Sequence, residues 1–254
     1  MNRLTNRLTT ARILFVLAIL VILEIACRTG LITAYTLTPP SEIVVAMVEM
    51  LRSGELNKEI GETLLAIFIS VVLAIVAGIL IAIFLHATPR LRRAVEPVLA
   101  TYYSIPIFVF YPLFIVLFGL NNVPKVVIGF MLAVVTMIVS TLNGLDRVPK
   151  VMRKTGRVLQ LSRTEMICEI ILPSSALSVF NGVKLAVAHA FVGVLAAEFI
   201  LSTGGLGYQI AFAFHNFDNR QMYGIMLLVL IIVSIVNGLL LGWEKYMRQR
   251  RGLS

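Results

Sequence analysis

The sequence predicts an all-α membrane protein, a single transmembrane domain over residues 1–254 with six spanning helices. The composition is the first observation: 59% of the residues are hydrophobic, 14% are charged, and the mean hydropathy is +0.94. Soluble domains have about 45–50% apolar and about 25% charged residues. The second observation is that the apolar residues form long runs separated by short charged stretches, which is typical of polytopic helical membrane proteins.

Six apolar runs are long enough to cross a bilayer, because a spanning helix needs about 20 residues. They cover approximately residues 11–32, 60–86, 95–120, 124–145, 178–201 and 222–244. The first run follows Arg3, Arg7 and Arg12 and has features of a secretory signal. No small-x-small cleavage site follows it and five further runs do, so we favour a retained helix. The third run contains Pro106 and Pro112. Each proline leaves a backbone carbonyl of the helix without its hydrogen bond, and that carbonyl must find another partner inside a bundle.

The distribution of basic residues predicts that both termini face the cytoplasm, because cytoplasmic loops are enriched in Lys and Arg. In this orientation 16 of the 22 Lys and Arg residues lie in cytoplasmic segments and five lie on the opposite face, while Lys184 lies within the fifth run. We therefore expect a multi-pass membrane protein. The formal net charge is +9, but the positions of the charges matter more than their sum, and we expect no nucleic-acid partner.

The longest outer loop, about residues 33–59, is expected to contain a short amphipathic helix on the outer surface. Its segment Thr38-Pro39-Pro40-Ser41 is typical of a helix start, with Ser41 as the N-cap. The apolar residues that recur at helical spacing after it are Ile43, Val44, Met47, Val48 and Leu51. Ser53-Gly54 ends the run.

The most informative segment is the predicted cytoplasmic loop 146–178, which is much longer than the other inner loop. Its apolar residues recur at spacings compatible with one or two amphipathic helices: Val151, Val158, Leu159, Leu161, Met166, Ile167 and Ile170. One interpretation is a solvated basic loop beside the lipid. The other is a docking element, since a helix with an exposed apolar face beside a membrane usually contacts a partner.

This loop resembles that of the transmembrane permease subunits of binding-protein-dependent, ATP-driven (ABC) importers, in the branch that handles nitrate, sulfonates and taurine. The loop pattern of that family is Glu-Ala-Ala, three residues, Gly, nine residues, Ile-x-Leu-Pro. Ile170, Leu172 and Pro173 match its last part at the expected spacing. Gln160 stands at the Gly position, and Lys-Thr-Gly at 154–156 stands at the Glu-Ala-Ala positions, so the first half of the pattern differs here.

Further segments resemble the same family in the same order along the chain. They are Leu37-Thr38-Pro39-Pro40-Ser41 before the outer helix, Ile105-Pro106, Pro112-Leu113 and Phe118-Gly119 in the third span, and Ala197-Glu198-Phe199 followed by Gly204-Gly205-Leu206-Gly207-Tyr208 at the end of the fifth span. Each fragment is short, and their common order and spacing carry the resemblance.

The resemblance implies a type I ABC importer permease-like bundle, in which a coupling helix at about residues 157–167 contacts a separate cytoplasmic ATP-binding subunit. Gln160, Leu161 and Ser162 would lie near its centre. The residues implied in ATPase coupling are Lys154, Thr155, Gly156, Arg157, Gln160, Leu161, Ser162, Ile170, Leu172 and Pro173. The chain has no Gly-Lys dipeptide and hence no P-loop. We expect no enzyme activity and no cofactor in this chain, with ATP and Mg used by the partner ATPase.

The resemblance also implies an extracytoplasmic solute-binding protein and a second permease copy, because two ATPase sites require two coupling loops. The outer turn Gly204-Gly205-Leu206-Gly207 is expected to be flexible and to be where the binding protein docks. The implied activity is import, by alternating access, of a small organic solute or oxyanion such as a sulfonate, taurine or nitrate.

Ionisable residues at membrane depth are functional candidates. Glu198 near the outer end of the fifth span and His189 in its middle are candidates for the translocation pathway. The alternatives are an interfacial Glu198 that touches water and a His189 that hydrogen-bonds to a neighbouring helix. Lys184 is expected to be structural, and Glu24 is expected to find a partner or the interface.

An ion-coupled secondary transporter or channel is the alternative function. Such proteins commonly place carboxylates or histidines at the midplane, and this chain offers only the scattered Glu24, His189 and Glu198. A membrane-embedded enzyme is weaker still, because the sequence shows no metal-ligand cluster and no nucleophile–base constellation.

Overall fold

The structure is a computed structural model that describes residues 2–33, 36–102, 104–162 and 165–250. The regular structure of these residues is entirely helical, which confirms the predicted fold class. The α-helices are α1 (Asn2–Arg28), α2 (Pro40–Ser53), α3 (Asn57–Ala87), α4 (Pro89–Tyr102), α5 (Tyr111–Phe118), α6 (Asn122–Asp146), α7 (Lys150–Val158), α8 (Leu172–Leu201), α9 (Leu206–His215) and α10 (Asn219–Arg250). A 3-10 helix, Ile107–Phe110, precedes α5, and a π-helical segment, Met166–Ile171, leads into α8.

Five helical stretches in the described residues are long and apolar enough to cross a bilayer. A sixth span exists only if α4 is combined with Ile107–Phe118, and these two parts meet at an angle of 88°. The prediction of one continuous helix over 95–120 is therefore wrong. Pro106 explains the break, because it has no backbone N–H and disfavours the helical conformation at Ile105.

The centre of the bundle is formed by α3, α6 and α8. Small residues bring α6 and α8 together: a Cβ on Gly193 would lie 2.9 Å from the Cα of Gly129. Ala186, Ala190 and Ala197 on α8 are completely buried. Close backbone approach of this kind supplies the van der Waals contact that holds helices together in lipid. The two helices that flank α7 in the sequence are thus one packed unit.

The end of the bundle that carries α7 is called the inner end below, and the end where α8 meets α9 is called the outer end. At the outer end, α2 is amphipathic as predicted. Its Ala46 and Met50 pack with Ile225 of α10, and Glu49 pairs with Arg220 at 2.7 Å. These contacts fasten α2 to the last spanning helix.

The first helix is joined to α2 by the carboxylate of Glu24. This group accepts hydrogen bonds from the backbone N–H of Ser41 at 3.0 Å and from its hydroxyl at 2.7 Å, and it pairs with Arg28 at 2.6 Å. Glu24 has therefore found a partner, as predicted. The prediction of Ser41 as the N-cap is wrong, because Pro40 is well suited to the first helical position and Pro39 takes the cap position.

Candidate functional site

The first candidate region is α7, which carries an uncovered apolar face at the inner end. Val151, Val158 and Leu159 are 72%, 81% and 64% exposed, and Met152 lies beside them. Residues seven and eight positions apart share one side of a helix, so these side chains form a single stripe. The basic residues on the adjoining side are Lys150, Lys154 and Arg157. Within the described residues, the hydroxyl of Ser174 contacts Sδ of Met152 at 3.1 Å, and the other three side chains of the stripe are largely uncovered.

The opposite face of α7 holds the helix against the bundle. Gly156 is buried, and a Cβ there would lie 2.6–2.7 Å from the side-chain ends of Met166 and Ile170. Arg153 donates a hydrogen bond from Nη2 to the carbonyl oxygen of Leu145, at the end of α6, over 2.7 Å. The position of α7 is therefore fixed relative to both α6 and the segment that leads into α8.

A Schellman motif ends α7. Gln160 has the left-handed φ of 54°. Its N–H donates to the carbonyl of Arg157 at 3.1 Å, and the N–H of Leu161 donates to the carbonyl of Gly156 at 3.0 Å. Glycine adopts this conformation without strain. The position where the family pattern has Gly thus coincides with the left-handed residue of the turn.

The chain is not helical at Leu161 and Ser162 and is helical at Glu165, so the predicted coupling helix over residues 157–167 is wrong. Ser162 and Glu165 form a capping box. The N–H of Ser162 donates to Oε2 of Glu165 at 2.7 Å, and the N–H of Glu165 donates to the Ser162 hydroxyl oxygen at 3.3 Å. Hydrogen bonds to the side chain and backbone of Ser162 hold the pKa of Glu165 below its usual range. Residues 163 and 164 lie outside the described residues.

The π-helical segment carries the chain past a proline and into α8. The N–H of Leu172 donates to the carbonyl of Ile167, five residues earlier. Pro173 follows in the first turn of α8 and has no N–H, and the wider π turn accommodates it. The predicted coupling residues therefore fall into an exposed group, Lys154, Thr155, Arg157, Gln160, Ser162 and Pro173, and a buried or half-buried group, Gly156, Leu161, Ile170 and Leu172.

A charge cluster lies beside α7 at the inner end of α6. Asp146 accepts two hydrogen bonds from the guanidinium of Arg92 on α4, at 2.8 and 2.7 Å. Nδ1 of His86 on α3 lies 3.4 Å from the same carboxylate. A carboxylate at the carboxyl end of a helix faces the negative end of the helix dipole, so a cation beside it is stabilising.

The second candidate region is a buried ion pair at the outer end. Nζ of Lys125 on α6 lies 3.0 Å from Oε1 of Glu198 on α8, and the two side chains are 1% and 0% exposed. The hydroxyl of Thr63 on α3 lies 3.0 and 2.8 Å from the two carboxylate oxygens and donates to them. The N–H of Gly207 donates to Oε2 at 3.1 Å. The interpretation of Glu198 as an interfacial residue that touches water is therefore wrong.

The turn between α8 and α9 is fastened to this ion pair. Gly205 has a φ of 102°, and a Cβ there would overlap the carboxylate of Glu198. The N–H of Leu206 donates to the hydroxyl oxygen of Thr63 at 2.8 Å. Gly205, Leu206 and Gly207 are buried and Gly204 is half-buried, so the turn is not the flexible one that the sequence predicted. Docking of a binding protein at Gly204–Gly207 stays a prediction.

Residues 74–252 match the family "Binding-protein-dependent transport system inner membrane component". The matched range is well over half of the chain and includes α7, the ion pair and the turn after α8. The chain belongs to this family. It is a membrane-embedded, multi-pass permease subunit of an ABC importer and not a catalytic subunit, as the resemblance implied.

Relatives of the permease cover most of its length. It is 26% identical over 234 residues to the putative aliphatic sulfonates transport permease protein SsuC of Bacillus subtilis (strain 168), with 89% of this chain and 84% of that protein covered. It is also 26% identical over 239 residues to the formylaminopyrimidine transport permease protein ThiX of Halalkalibacterium halodurans, with 91% and 95% covered.

The fold of the permease is similar to that of a solved ABC transporter chain. The match is to the MetNI methionine ABC transporter in inward-facing conformations, with a TM-score of 0.64 and 19% identity. It covers 75% of this chain and 95% of that chain. The likeness concerns the fold, and it agrees with the predicted type I importer bundle.

Two further polar residues of the permease lie on α8. Nδ1 of His189 lies 2.8 Å from the carbonyl oxygen of Leu185 in the same helix and 3.4 Å from the hydroxyl of Thr136 on α6. Lys184 pairs with Glu244 of α10, a contact that fits the structural role predicted for it. His189 is half-buried.

Proposed function

We propose that this permease is driven by a separate cytoplasmic ATP-binding subunit that binds α7. The exposed apolar stripe of α7, formed by Val151, Met152, Val158 and Leu159, carries the proposal. Removal of apolar surface from water is worth about 25 cal/mol per Å². A helix that exposes such a stripe beside a bilayer is suited to a groove in another protein.

The basic side chains beside the stripe indicate what kind of groove the partner should have. Lys150, Lys154 and Arg157 are exposed on the adjoining side of α7. The groove is therefore expected to have an apolar floor and an acidic rim on one side. Charge complementarity of this kind orients a helix in its groove and excludes wrong partners.

The contacts on the back of α7 support transmission of movement into the bundle. Arg153 joins α7 to the Leu145 carbonyl of α6, and Gly156 packs against Met166 before α8. Leu145 and Ile171 share a buried cluster. Close-packed interfaces transmit displacement because they hold few voids. Movement of the ATP-binding subunit would thus shift the inner ends of α6 and α8 together.

The proposal places the permease in the bacterial inner (plasma) membrane, with α7 and both termini in the cytoplasm. The 16 of 22 basic residues in the segments assigned to that side support this orientation. A solute-binding protein would deliver the solute to the outer end. Two copies would form the transporter, because each chain has one α7 and the ATPase has two sites, where ATP and Mg are used.

The proposed solute is a small polar organic molecule or oxyanion, such as a sulfonate, taurine or nitrate, moved by alternating access. The names of two relatives support this size class, since one refers to aliphatic sulfonates and the other to formylaminopyrimidine. Glu198 is enclosed by its ion pair. The half-buried His189 is therefore the better candidate for the pathway.

The proposal is tested by reconstituting the permease with its ATP-binding subunit and binding protein and comparing Leu159→Asp with Leu31→Asp. Leu31 is 82% exposed in the loop between α1 and α2, so its variant makes the same chemical change away from α7. We expect Leu159→Asp to lose both co-purification of the ATP-binding subunit and ATP-dependent uptake, because a carboxylate cannot enter an apolar groove unpaired. We expect Leu31→Asp to keep both.

Two results would contradict the proposal. The first is ATP-dependent uptake that is unchanged by Leu159→Asp. The second is uptake that continues without ATP and stops when a proton or sodium gradient collapses, which would identify an ion-coupled transporter.

A further inference from the structure

The carboxylate of Glu198 connects four helices. Thr63 of α3, Lys125 of α6 and Gly207 of α9 each donate a hydrogen bond to it, over 2.8, 3.0 and 3.1 Å. Lys125 also lies 3.9 Å from the carboxylate of Glu62 on α3. An ion pair that joined only α6 and α8 would not require the hydrogen bonds from α3 and α9. The arrangement therefore joins the outer ends of the bundle as a group.

The same carboxylate sets the start of α9. The first N–H groups of a helix have no partner within the helix. Here the N–H of Leu206 donates to the hydroxyl oxygen of Thr63 at 2.8 Å, and the N–H of Gly207 donates to Glu198. Negative charge at this end of a helix is stabilised by the helix dipole. Glu198 and Thr63 together fix where α9 begins.

The turn before α9 is shaped around the carboxylate. Gly205 has the left-handed φ of 102° and leaves no room for a Cβ beside Glu198. The carbonyl oxygen of Gly204 accepts a hydrogen bond from the hydroxyl of Ser202 at 2.9 Å and lies 3.5 Å from Nζ of Lys125. The backbone of the turn is thus part of the same polar cluster.

We propose that Glu198 is a positioning residue of the import cycle, which makes α9 and the outer ends of α3, α6 and α8 open and close as one body. Separation of α9 alone would leave the backbone N–H groups of Leu206 and Gly207 without partners and would remove one hydrogen bond from the buried Glu198 carboxylate, which is costly inside a membrane. The inference rests on the proposed function, because α7 lies between α6 and α8 and would move both. Glu198 would extend that movement to the outer surface.

The experiment measures access to the start of α9 from outside. A cysteine replaces Leu206, which is 2% exposed, in a chain whose Cys27 and Cys168 are changed to serine. The permease is reconstituted with its ATP-binding subunit, and the rate of reaction with a membrane-impermeant maleimide is compared without nucleotide and with ATP plus vanadate. We expect the parent rate to depend on the nucleotide state.

In Glu198→Ala we expect the reaction to be about tenfold faster or more and equal in both nucleotide states, because α9 then opens by itself. A merely structural role would lower the yield of folded complex and leave the nucleotide dependence of the folded fraction intact. The dependence on nucleotide, rather than the rate alone, is therefore the readout of positioning.

Two double variants separate hydrogen bonding from charge pairing. Lys125→Met with Glu198→Gln removes both charges of the pair, yet the amide oxygen still accepts from Thr63 and Gly207, so we expect the nucleotide dependence of the parent. Lys125→Glu with Glu198→Lys keeps a pair of opposite charges. The ammonium group now at position 198 cannot accept hydrogen bonds from Thr63 and Gly207, so we expect the behaviour of Glu198→Ala. The reverse pair of results would overturn the inference, because charge pairing alone would then suffice.

A glycine pair keeps the test decisive if Glu198→Ala does not fold. Gly205→Ala displaces the Glu198 carboxylate and should abolish the nucleotide dependence, whereas Gly204→Ala meets only the flexible end of Glu62 and should keep it. Parent-like labelling in both Glu198→Ala and Gly205→Ala would overturn the inference. A parent that binds no ATP-binding subunit would instead contradict the proposed function, and the inference with it.

Discussion

The two ends of α6 are both held by charge, but in different environments. At the outer end Lys125 meets Glu198, and the two side chains are 1% and 0% exposed. At the inner end Asp146 meets Arg92, and these side chains are 39% and 23% exposed. Water can replace either partner at the inner end and neither at the outer end. The inner ion pair can therefore exchange one partner for water at little cost in free energy. The outer ion pair cannot, because neither side chain reaches water.

This difference suits a helix that is moved at one end and must carry the movement to the other. The inner end lies beside α7, where a partner is proposed to bind, and a solvated ion pair adapts to small shifts. The outer end has no such freedom, because a buried charge without a partner is costly. The inner end of α6 can therefore adapt to movement, whereas its outer end is rigid.

The largest expected effect is at the outer end. We expect Glu198→Ala to lower the free energy of unfolding by up to about 3–5 kcal/mol, because it leaves the buried Lys125 with only the more distant carboxylate of Glu62, 3.9 Å away. The measurement is thermal unfolding of the permease in detergent. Lys125→Met combined with Glu198→Gln is the control and should recover most of the loss. A single variant as stable as the parent would show that the outer pair is not a fixed connection.

A smaller effect is expected at the inner end. We expect Arg92→Ala to lower the free energy of unfolding by about 0–1 kcal/mol, and the loss should shrink as salt is added, because partly exposed pairs are screened. The same unfolding assay at low and high ionic strength measures it. A loss as large as that of Glu198→Ala, unaffected by salt, would remove the distinction between the two ends.

The smallest effect sharpens the comparison at the turn beside the inner end. Gln160 has a left-handed φ, which costs a residue other than glycine roughly 1 kcal/mol. We expect Gln160→Gly to raise the free energy of unfolding by up to about 1 kcal/mol, after the greater entropy of glycine in the unfolded chain is subtracted. Gln160→Ala is the matched control and should give no gain. Equal stability of both variants would show that the turn is not strained.

The sequence was sufficient for the fold class, the five continuous spans and the presence of an amphipathic segment between α6 and α8, because these follow from apolar runs and periodicity. It was not sufficient for the third span, where the effect of Pro106 depends on packing. It also predicted one helix over residues 157–167, whereas α7 begins at Lys150 and ends at Val158. Apolar residues recur at helical spacing on both sides of Gln160 and Ser162, so the pattern shows no helix end there. The turn is made by local hydrogen bonds, which the spacing does not reveal.

The outer cluster shows a second limit. Glu198 stood out as an ionisable residue at membrane depth, but the pattern did not indicate Lys125 or Thr63 as its partners. A weak signal existed, since Lys125 lies near the outer end of one predicted span and Glu198 near the outer end of another. Pairing them requires knowledge of which spans are neighbours, and residue spacing within one helix does not contain it. Arg92 and Asp146 were missed for the same reason.

The most direct test of the account is a contact measurement at α7. A photoreactive benzoylphenylalanine is placed at Val158, which is 81% exposed on the apolar stripe, and in a second chain at Leu31, and whole membranes are irradiated. The account predicts a cross-link from position 158 to an ATP-binding subunit and none from position 31. Cross-links from position 158 to lipid alone, in membranes that contain that subunit and import the solute, would contradict it.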